Sequence, residues 1–297
     1  MLRLAHFSDV HLTTRPLGWR TRDILGKRTT GWLNVVALGR GRRFKHAATV
    51  TAALLADLRG RNFDHLVFSG DATTLAFRSE MTTAAKLLGV GDASLPPAIA
   101  VPGNHDVYTH SAEKKREFEL AFGAWQKGQR IDHEHYPFAQ KAGHVWLIAL
   151  NSAKANFWTW DATGKVGDAQ LDRFRRLCDT LSPGPRVVVS HYPILLPNRK
   201  PEPPFHRLRD FERVKKVCGE CGVSLWLHGH KHGWYYLTPD AELPFPTVCV
   251  GSSTQTNRWG YHEYEIDGTK LSALRRVYDS SANAFRDADT FELELPA

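Results

Sequence analysis

Short apolar runs alternate with helix-like segments along most of this 297-residue chain. The runs have the length and β-branched content of buried strands, and the apolar residues between them follow a helical spacing. From these patterns we predict strands at 2–7, 65–68, 98–101, 145–150, 187–189, 223–227, 248–250, 261–266, 271–277 and 291–295. We predict helices at 47–58, 80–88, 112–125, 168–181 and 205–218. Strands that alternate with helices favour an α/β fold, a sheet covered by helices. Because no linker or repeat divides residues 1–297, we expect one domain.

Composition limits the classes of protein that this chain can belong to. Hydrophobic residues make up 42% of the chain and charged residues 24%, which is typical of a globular protein and excludes general disorder. No apolar run approaches the roughly 18 residues of a membrane helix. The apolar stretch before Asp9 is too short for a signal peptide, so we expect a cytoplasmic protein whose four cysteines are reduced.

Positive charge is concentrated in one segment, residues 15–46. The net charge is +8, and this segment holds nine basic residues and a single acid, Asp23, so that 30 basic and 30 acidic residues remain elsewhere. The basic residues are Arg15, Arg20, Arg22, Lys27, Arg28, Arg40, Arg42, Arg43 and Lys45. Tryptophans and aliphatic residues lie among them. Such a mixture indicates either a surface that meets anions, such as lipid head groups, nucleic acid or an acidic substrate, or an insertion that folds back on its own domain. We take Arg40, Arg42, Arg43 and Trp32 as candidates for substrate or membrane contact.

Side chains suited to metal binding or proton transfer follow five of the predicted strands. They are Asp9 and His11, then Asp71, then Asn104, His105 and Asp106, then His191, and finally His230 and His232. In open α/β sheets the loops at the carboxyl ends of strands converge, so we expect these side chains to meet. Oxygen and nitrogen donors without cysteine suit manganese, iron or zinc. These are more candidate ligands than one tetrahedral ion takes, which favours two divalent ions that share a carboxylate.

Taken in order, these motifs resemble those of the calcineurin-like metallophosphoesterases. The matching segments are Asp9-Val10-His11, Gly70-Asp71, Gly103-Asn104-His105-Asp106, Ser190-His191 and Gly229-His230-Lys231-His232, and the resemblance runs from about residue 3 to residue 252. It implies a four-layer α/β/β/α sandwich with two mixed sheets and two metal ions at one edge. It further implies a first metal site formed by Asp9, His11 and His232, a second formed by Asn104, His191 and His230, and Asp71 as the bridge.

The same resemblance implies roles for the two remaining residues of the third motif. His105 would lie on the substrate side and protonate or stabilise the leaving oxygen as a general acid. Asp106 would orient the His105 imidazole or, as an alternative, lie at a helix N-terminus. A water bridging two adjacent cations would lose a proton and attack phosphorus as hydroxide.

Several functions are compatible with this resemblance. The intact Gly103-Asn104-His105-Asp106 is similar to the bacterial cyclic-nucleotide phosphodiesterases, which makes hydrolysis of a 3′,5′-cyclic nucleotide the first prediction. The alternative is an enzyme similar to the UDP-2,3-diacylglucosamine pyrophosphatases. Their commonest form carries arginine where His105 stands, but the basic segment favours a substrate at an anionic inner membrane face. A metal-dependent DNA nuclease is a further alternative. A scaffold without catalysis is disfavoured because every motif position is filled, and the oligomeric state stays open.

The remaining motifs point to no other chemistry. Cys218 and Cys221 are spaced like a metal or redox pair, but no second such pair exists and their role stays open. The sequence lacks a phosphate-binding P-loop, a Gly-x-Ser-x-Gly elbow and a His-Glu-x-x-His helix. Nucleotide-loop, serine-hydrolase and zincin mechanisms are therefore unsupported.

Overall fold

The computed structural model describes residues 1–14, 17–24, 26–37 and 39–296, without the side chain of Arg22. Arg15 and the Arg22 side chain of the basic segment thus lie outside the described residues. The strands are β1 (Leu2–Phe7), β2 (His65–Phe68), β3 (Ala98–Ala100), β4 (Phe138–Ala142), β5 (Val145–Ala149), β6 (Arg186–Val189), β7 (Val223–His228), β8 (Tyr235–Leu237), β9 (Thr247–Cys249), β10 (Gly260–Asp267), β11 (Lys270–Asp279) and β12 (Ala284–Glu294). The helices are α1 (Thr21–Ile24), α2 (Lys27–Val36), α3 (Arg40–Arg43), α4 (Ala47–Arg59), α5 (Arg78–Leu87), α6 (His110–Lys114), α7 (Glu117–Phe122), α8 (Asp168–Thr180) and α9 (Phe211–Glu220), with a 3-10 turn at Gly123–Trp125.

Two six-stranded mixed sheets contain these strands. The first has the order β12-β11-β10-β1-β2-β3, in which β1, β2 and β3 are parallel and the other neighbours are antiparallel. The second has the order β4-β5-β6-β7-β9-β8, with a parallel centre from β5 to β9 and an antiparallel strand at each edge. The parallel strands of each sheet therefore end at a common edge.

Strands that are buried on both faces hold the layers together. In β2, Val67 points into the core between the sheets, whereas Leu66 and Phe68 point to the opposite face and pack with the core that includes α4 and α5. In β7, Leu225 lies between the sheets and Trp226 packs in the outer core with α8 and α9. The result is four layers in the order α/β/β/α, which confirms the predicted fold class.

Two predicted helices differ from the structure. The segment 112–125 is not one helix, because Arg116 adopts a left-handed φ of 51° and separates α6 from α7. The segment 205–218 begins its helix only at Phe211. The carboxylate of Asp210 accepts backbone hydrogen bonds from Val166 (3.2 Å) and Gly167 (2.7 Å), which anchors the chain in a turn before α9.

The basic segment folds back on the domain through one face of α2. The Arg28 guanidinium donates to the carbonyl oxygens of Leu75 and Ala76 and pairs with Asp23 at 2.7 Å. Gly31 lies so close to Leu75 and to the Tyr108 ring that a Cβ there would clash. The fold-back interpretation therefore applies to this face of α2. Other residues of the segment are exposed, and their contact with anions stays a prediction.

Two further observations concern cysteines and membrane spans. Cys178, Cys218, Cys221 and Cys249 are free and buried, and Cys218 and Cys221 belong to the apolar core over the second sheet. None of the helices that the structure describes combines the length and hydropathy needed to cross a bilayer.

Candidate metal centre

The predicted ligands meet at the carboxyl ends of five parallel strands, three from the first sheet and two from the second. Asp9 and His11 follow β1, Asp71 follows β2 and Asn104 follows β3. His191 follows β6, and His230 and His232 follow β7. Each sheet thus contributes ligands to one site that lies where the two sheets adjoin.

A first group of donors surrounds the carboxylate of Asp9. Asp9 Oδ1 lies 3.1 Å from His232 Nε2 and 3.7 Å from His11 Nε2. Together with Asp71, these residues offer one ligand atom each within 4.8 Å of one another. This group matches the first metal site that the resemblance implies.

A second group surrounds the side-chain oxygen of Asn104. Asn104 Oδ1 lies 3.2 Å from His191 Nε2 and 3.1 Å from His230 Nδ1. Asp71 Oδ2 connects the two groups, since it lies 3.4 Å from His11 Nε2 and 3.5 Å from His191 Nε2. One carboxylate oxygen therefore lies between both donor sets, as expected of a bridging ligand.

Every ring nitrogen that faces away from the site has an acceptor beside it. His11 Nδ1 donates to the Thr73 carbonyl at 3.2 Å, and His191 Nδ1 donates to the Ser69 carbonyl at 2.7 Å. His230 Nε2 lies 3.2 Å from a carboxylate oxygen of Glu202, and His232 Nδ1 donates to the side-chain oxygen of Gln255. These partners hold a hydrogen on the outer nitrogen of each ring, so that the inner nitrogen presents a lone pair to the site when it carries no proton.

The donors fit divalent cations. Asp9 Oδ1 is buried and accepts no hydrogen bond from the described residues. The Nε2 atoms of His11 and His232 lie 3.1 Å apart, and their lone pairs face each other because both Nδ1 atoms carry the hydrogens. Such an arrangement is repulsive unless a cation lies among the donors. Carboxylate, amide and imidazole donors without thiolate suit manganese, iron and zinc.

The backbone at the ligands is strained. Asp9, His11, Asp71, His230 and His232 have left-handed φ values of 54°, 48°, 58°, 71° and 56°. Residues other than glycine adopt this region rarely, and such strain is concentrated at functional sites. Gly103 and Gly229 allow the loops to approach closely, because a Cβ at these positions would clash with Asp71 and with Ser8 and Asp9, respectively.

Asp71 and His191 shift the pKa values of each other in the metal-free chain. Burial lowers the pKa of His191, but the carboxylates of Asp71 and Asp9 outweigh burial and raise this pKa to about 9. Burial raises the pKa of Asp71, but His191, His105 and His11 outweigh that effect and lower it. The proton that His191 holds in the metal-free chain is thus in the place where a cation would bind.

His105 contacts the basic segment through Arg40. His105 Nδ1 donates to the Thr74 carbonyl at 2.7 Å, and Arg40 Nη2 donates to His105 Nε2 at 2.8 Å. Burial and the Arg40 charge lower the pKa of His105 well below the ordinary histidine value. The ring is therefore a neutral acceptor, and its Nε2 carries no proton while Arg40 occupies it. The Nε of Arg40 is buried and lacks a partner among the described residues.

The geometry of Asp106 corrects the prediction made for it. Its carboxylate does not orient His105, whose Nδ1 is held by Thr74. The carboxylate instead accepts hydrogen bonds from the backbone N–H groups of Ala72 (3.2 Å), Thr73 (3.0 Å) and Gly103 (2.9 Å). Asp106 lies in a turn and not at a helix N-terminus. It therefore joins the loop that carries Asp71 to the loop that carries Asn104.

Part of the basic segment borders the site. A cavity of about 450 Å³ is lined by His11 and by Arg40, Arg42 and Lys45, with apolar walls from α2 and Phe44. The Phe44 ring packs on His11, with 4.6 Å between ring centroids. Arg43 and Trp32, the other two candidates, do not line this cavity. Arg43 is exposed, and Trp32 lies edge-on to Trp19 on the outer side of α2.

Sequence reasoning missed three residues that shape the site: Glu202, Gln255 and Phe44. Glu202 is buried between His230 and Lys231, whose Nζ donates to its Oε1 at 2.6 Å. Its only sequence signal is an isolated acid among prolines in Pro201-Glu202-Pro203-Pro204. Gln255 has no such signal, because a polar residue after a strand is common.

Comparisons with known proteins agree with the geometry. The family model described as calcineurin-like phosphoesterase matches residues 2–234. A dimetal phosphatase from Danio rerio has a similar fold, with a TM-score of 0.67 and 12% identity, over 99% of this chain and 98% of that one. A purple acid phosphatase from yellow lupin (Lupinus luteus) seeds has a TM-score of 0.63 and 12% identity, over 99% of this chain and 53% of that one. The chain thus spans about half the length of the lupin protein. No curated protein sequence matches the chain significantly.

Proposed function

The chain belongs to the calcineurin-like phosphoesterase family and is a metal-dependent phosphoesterase, and we propose that it hydrolyses a phosphodiester or pyrophosphate bond. The observation that carries this proposal is the position of Asp71 Oδ2 between two sets of donors, 3.4 Å from His11 Nε2 and 3.5 Å from His191 Nε2. Two such sets accommodate two divalent ions, which we expect to be manganese, iron or zinc.

When bound, two adjacent cations activate a solvent molecule and neutralise charge on phosphoryl oxygens. Asp9, His11 and His232 would hold one ion, and Asn104, His191 and His230 would hold the other. Thr73, Ser69, Glu202 and Gln255 keep the four imidazoles in the tautomers that this requires.

Arg40 and His105 are the residues that we assign to the substrate. Arg40 Nη2 donates to His105 Nε2 at 2.8 Å, and the Nε atom of Arg40 has no partner among the described residues. A phosphate group in the cavity would accept both of these hydrogen bonds through two of its oxygens, since a guanidinium fits phosphate with two parallel hydrogen bonds. If the Arg40 guanidinium moved its hydrogen bond from His105 to the substrate, His105 Nε2 would be free to take a proton from solvent. His105 would then donate that proton to the leaving oxygen as the general acid.

The cavity favours an amphipathic substrate with more than one phosphate. Arg40, Arg42 and Lys45 bring three cations to a cavity whose other walls include Val35, Val36 and Phe44. A nucleoside diphosphate linked to a lipid, the type of substrate hydrolysed by the UDP-2,3-diacylglucosamine pyrophosphatases, offers two phosphates and an apolar part. A 3′,5′-cyclic nucleotide, the first prediction from the motifs, carries a single charge and stays the alternative.

Turnover of a substrate panel with manganese tests the proposal. The panel contains bis-p-nitrophenyl phosphate as diester, p-nitrophenyl phosphate as monoester, cyclic AMP, a UDP-linked lipid, and single- and double-stranded DNA. We expect turnover of the diester, and preference for the UDP-lipid over cyclic AMP. Each activity should disappear with a chelator and return when manganese is added. Absence of all phosphodiester and pyrophosphate turnover in protein fully loaded with manganese would refute the proposal. Selective cleavage of DNA would identify the chain as a nuclease instead.

A further inference from the structure

We propose that the exposed residues that the structure describes in the segment 17–46, together with those of the loop 156–160, form one surface that docks on an anionic membrane. We call this the docking surface. It lies beside the cavity at the metal centre, so that a lipid-linked substrate would be taken from the bilayer surface. Only this last point rests on the proposed function, because docking itself requires no turnover.

The first part of the docking surface is an exposed apolar face of α2. Trp32, Leu33 and Val36 are between 37% and 58% exposed. Their spacing places them on one side of the helix, because residues three and four apart are neighbours. Ile24, just before this helix, is exposed to the same degree. Arg28 and Gly31 anchor α2 on the domain, so this apolar face is carried by a fixed helix.

The second part comes from a loop far away in sequence. Phe157, Trp158 and Trp160 are between 54% and 75% exposed, and the two tryptophan rings stack with 5.0 Å between centroids. This loop and the first turn of α2 line one groove of about 540 Å³. Lys27 of α2 crosses it and donates to the Asp161 carbonyl at 3.4 Å. The loop and the first turn of α2 thus meet at this groove, and each of the two segments carries large exposed apolar side chains of its own.

Charge complementarity identifies the partner. Arg20, Arg42, Arg43 and Lys45 are exposed, and none of them has a carboxylate within ion-pair distance among the described residues. The single acid of the segment, Asp23, is buried against Arg28. Cations next to tryptophan and aliphatic side chains are typical of surfaces that bind anionic lipid, where rings lie at the head-group level and cations meet the phosphates.

Other partners fit this surface less well. A nucleic acid backbone would satisfy the cations but would leave Ile24, Leu33 and Val36 in water, because phosphates offer no apolar surface to these side chains. A second copy of the chain would bring the same unpaired cations face to face, which is repulsive. A bilayer surface satisfies both the cations and the apolar side chains.

Vesicle co-sedimentation of the metal-free full chain tests the proposal. Vesicles of phosphatidylcholine are compared with vesicles in which part of it is replaced by phosphatidylglycerol. Three double variants remove separate parts of the docking surface: Ile24→Ser with Leu33→Ser, Trp158→Ser with Trp160→Ser, and Arg20→Gln with Arg43→Gln. The matched control is Leu120→Ser, since Leu120 of α7 is 72% exposed but lies outside the docking surface.

The expected results are specific for each variant. We expect binding to anionic vesicles and not to phosphatidylcholine alone. Removing two cations should weaken binding by about 30-fold, because each cation near anionic lipid contributes about 1 kcal/mol, or about fivefold. Each apolar double variant should weaken binding by at least about tenfold. Leu120→Ser should bind like the unaltered chain.

Three outcomes would overturn the proposal. They are absence of vesicle binding, equal binding to both kinds of vesicle, and displacement of the chain from vesicles by duplex DNA with a steep salt dependence. Turnover of bis-p-nitrophenyl phosphate, a soluble diester, is measured in parallel with manganese for the unaltered chain. Failure of that turnover would refute the proposed function while leaving the vesicle result valid, and a lack of vesicle binding would leave the turnover result valid.

Discussion

Replacing Glu202 by glutamine should weaken the binding of one metal ion and leave the binding of the other unchanged. Glu202 is 4% exposed, and its two oxygens serve different residues. Oε1 accepts from Lys231 Nζ at 2.6 Å, and Oε2 lies 3.2 Å from His230 Nε2. Burial raises the pKa of Glu202, but His230 and Lys231 outweigh that effect and lower it to about 2, so the carboxylate is ionised at neutral pH.

The magnitude follows from what glutamine keeps and loses. The side chain keeps its size but offers one acceptor oxygen and no charge, so either Lys231 or His230 loses its partner. A charged contact of this kind is worth about 1.5–3 kcal/mol. Loss of a residue that orients a metal ligand weakens metal affinity by about 10- to 100-fold, which is the same range of free energy. Because Glu202 contacts only His230 among the ligands, the weakened ion should be the one held with Asn104 and His191.

Equilibrium dialysis against manganese, with metal content measured at each concentration, tests this prediction. The unaltered chain should fill two sites, and the Glu202→Gln chain should fill one site normally and the other only at about 10- to 100-fold higher manganese. The control is Glu212→Gln, since Glu212 is an exposed glutamate of α9 that pairs with Lys215. Equal loss of both ions, or unchanged affinity for both, would refute the reasoning.

The other predictions concern the bridge, the acid and a buried carboxyl group. Asp71→Asn should remove tight binding of both ions and lower diester turnover at least about 1,000-fold, because it deletes the shared ionised oxygen; two retained ions would contradict this. His105→Ala should keep both ions in dialysis while kcat falls about 10²- to 10⁴-fold, and a metal-free variant would contradict the role given to His105. Burial raises the pKa of Glu80 from 4.5 to about 7. Between these two pH values the folded chain keeps a proton on Glu80 that the unfolded chain has released. The free energy of unfolding should therefore fall by about 3 kcal/mol as the pH rises through this range. Glu80→Gln should lack this fall in urea unfolding at pH 5 and pH 8, and an unchanged pH dependence would exclude Glu80 as its source.

Residues with strong local patterns made much of the fold predictable. The predicted and observed bounds of strand β2 agree, because the apolar run Leu66-Val67-Phe68 is followed by the turn residues Ser69-Gly70. The structure buries this run on both faces of the sheet. The predicted ligands follow such strands, so the topology that aligns the parallel strands also brings these side chains together.

The remaining features depend on contacts between distant residues. The break at Arg116 and the late start of α9 after Asp210 arise from backbone conformation and from hydrogen bonds to residues 166–167, which local periodicity does not report. Glu202 became part of the site through a loop that returns to His230. Strand β8 was missed because three residues, one of them exposed, provide no clear alternation.

Anomalous diffraction from crystals grown with saturating manganese tests the central claim most directly. The account predicts two peaks about 3.5–4 Å apart, one beside Asp9, His11 and His232 and the other beside Asn104, His191 and His230, with Asp71 Oδ2 between them. A single peak, or no peak at these residues in fully loaded crystals, would contradict it.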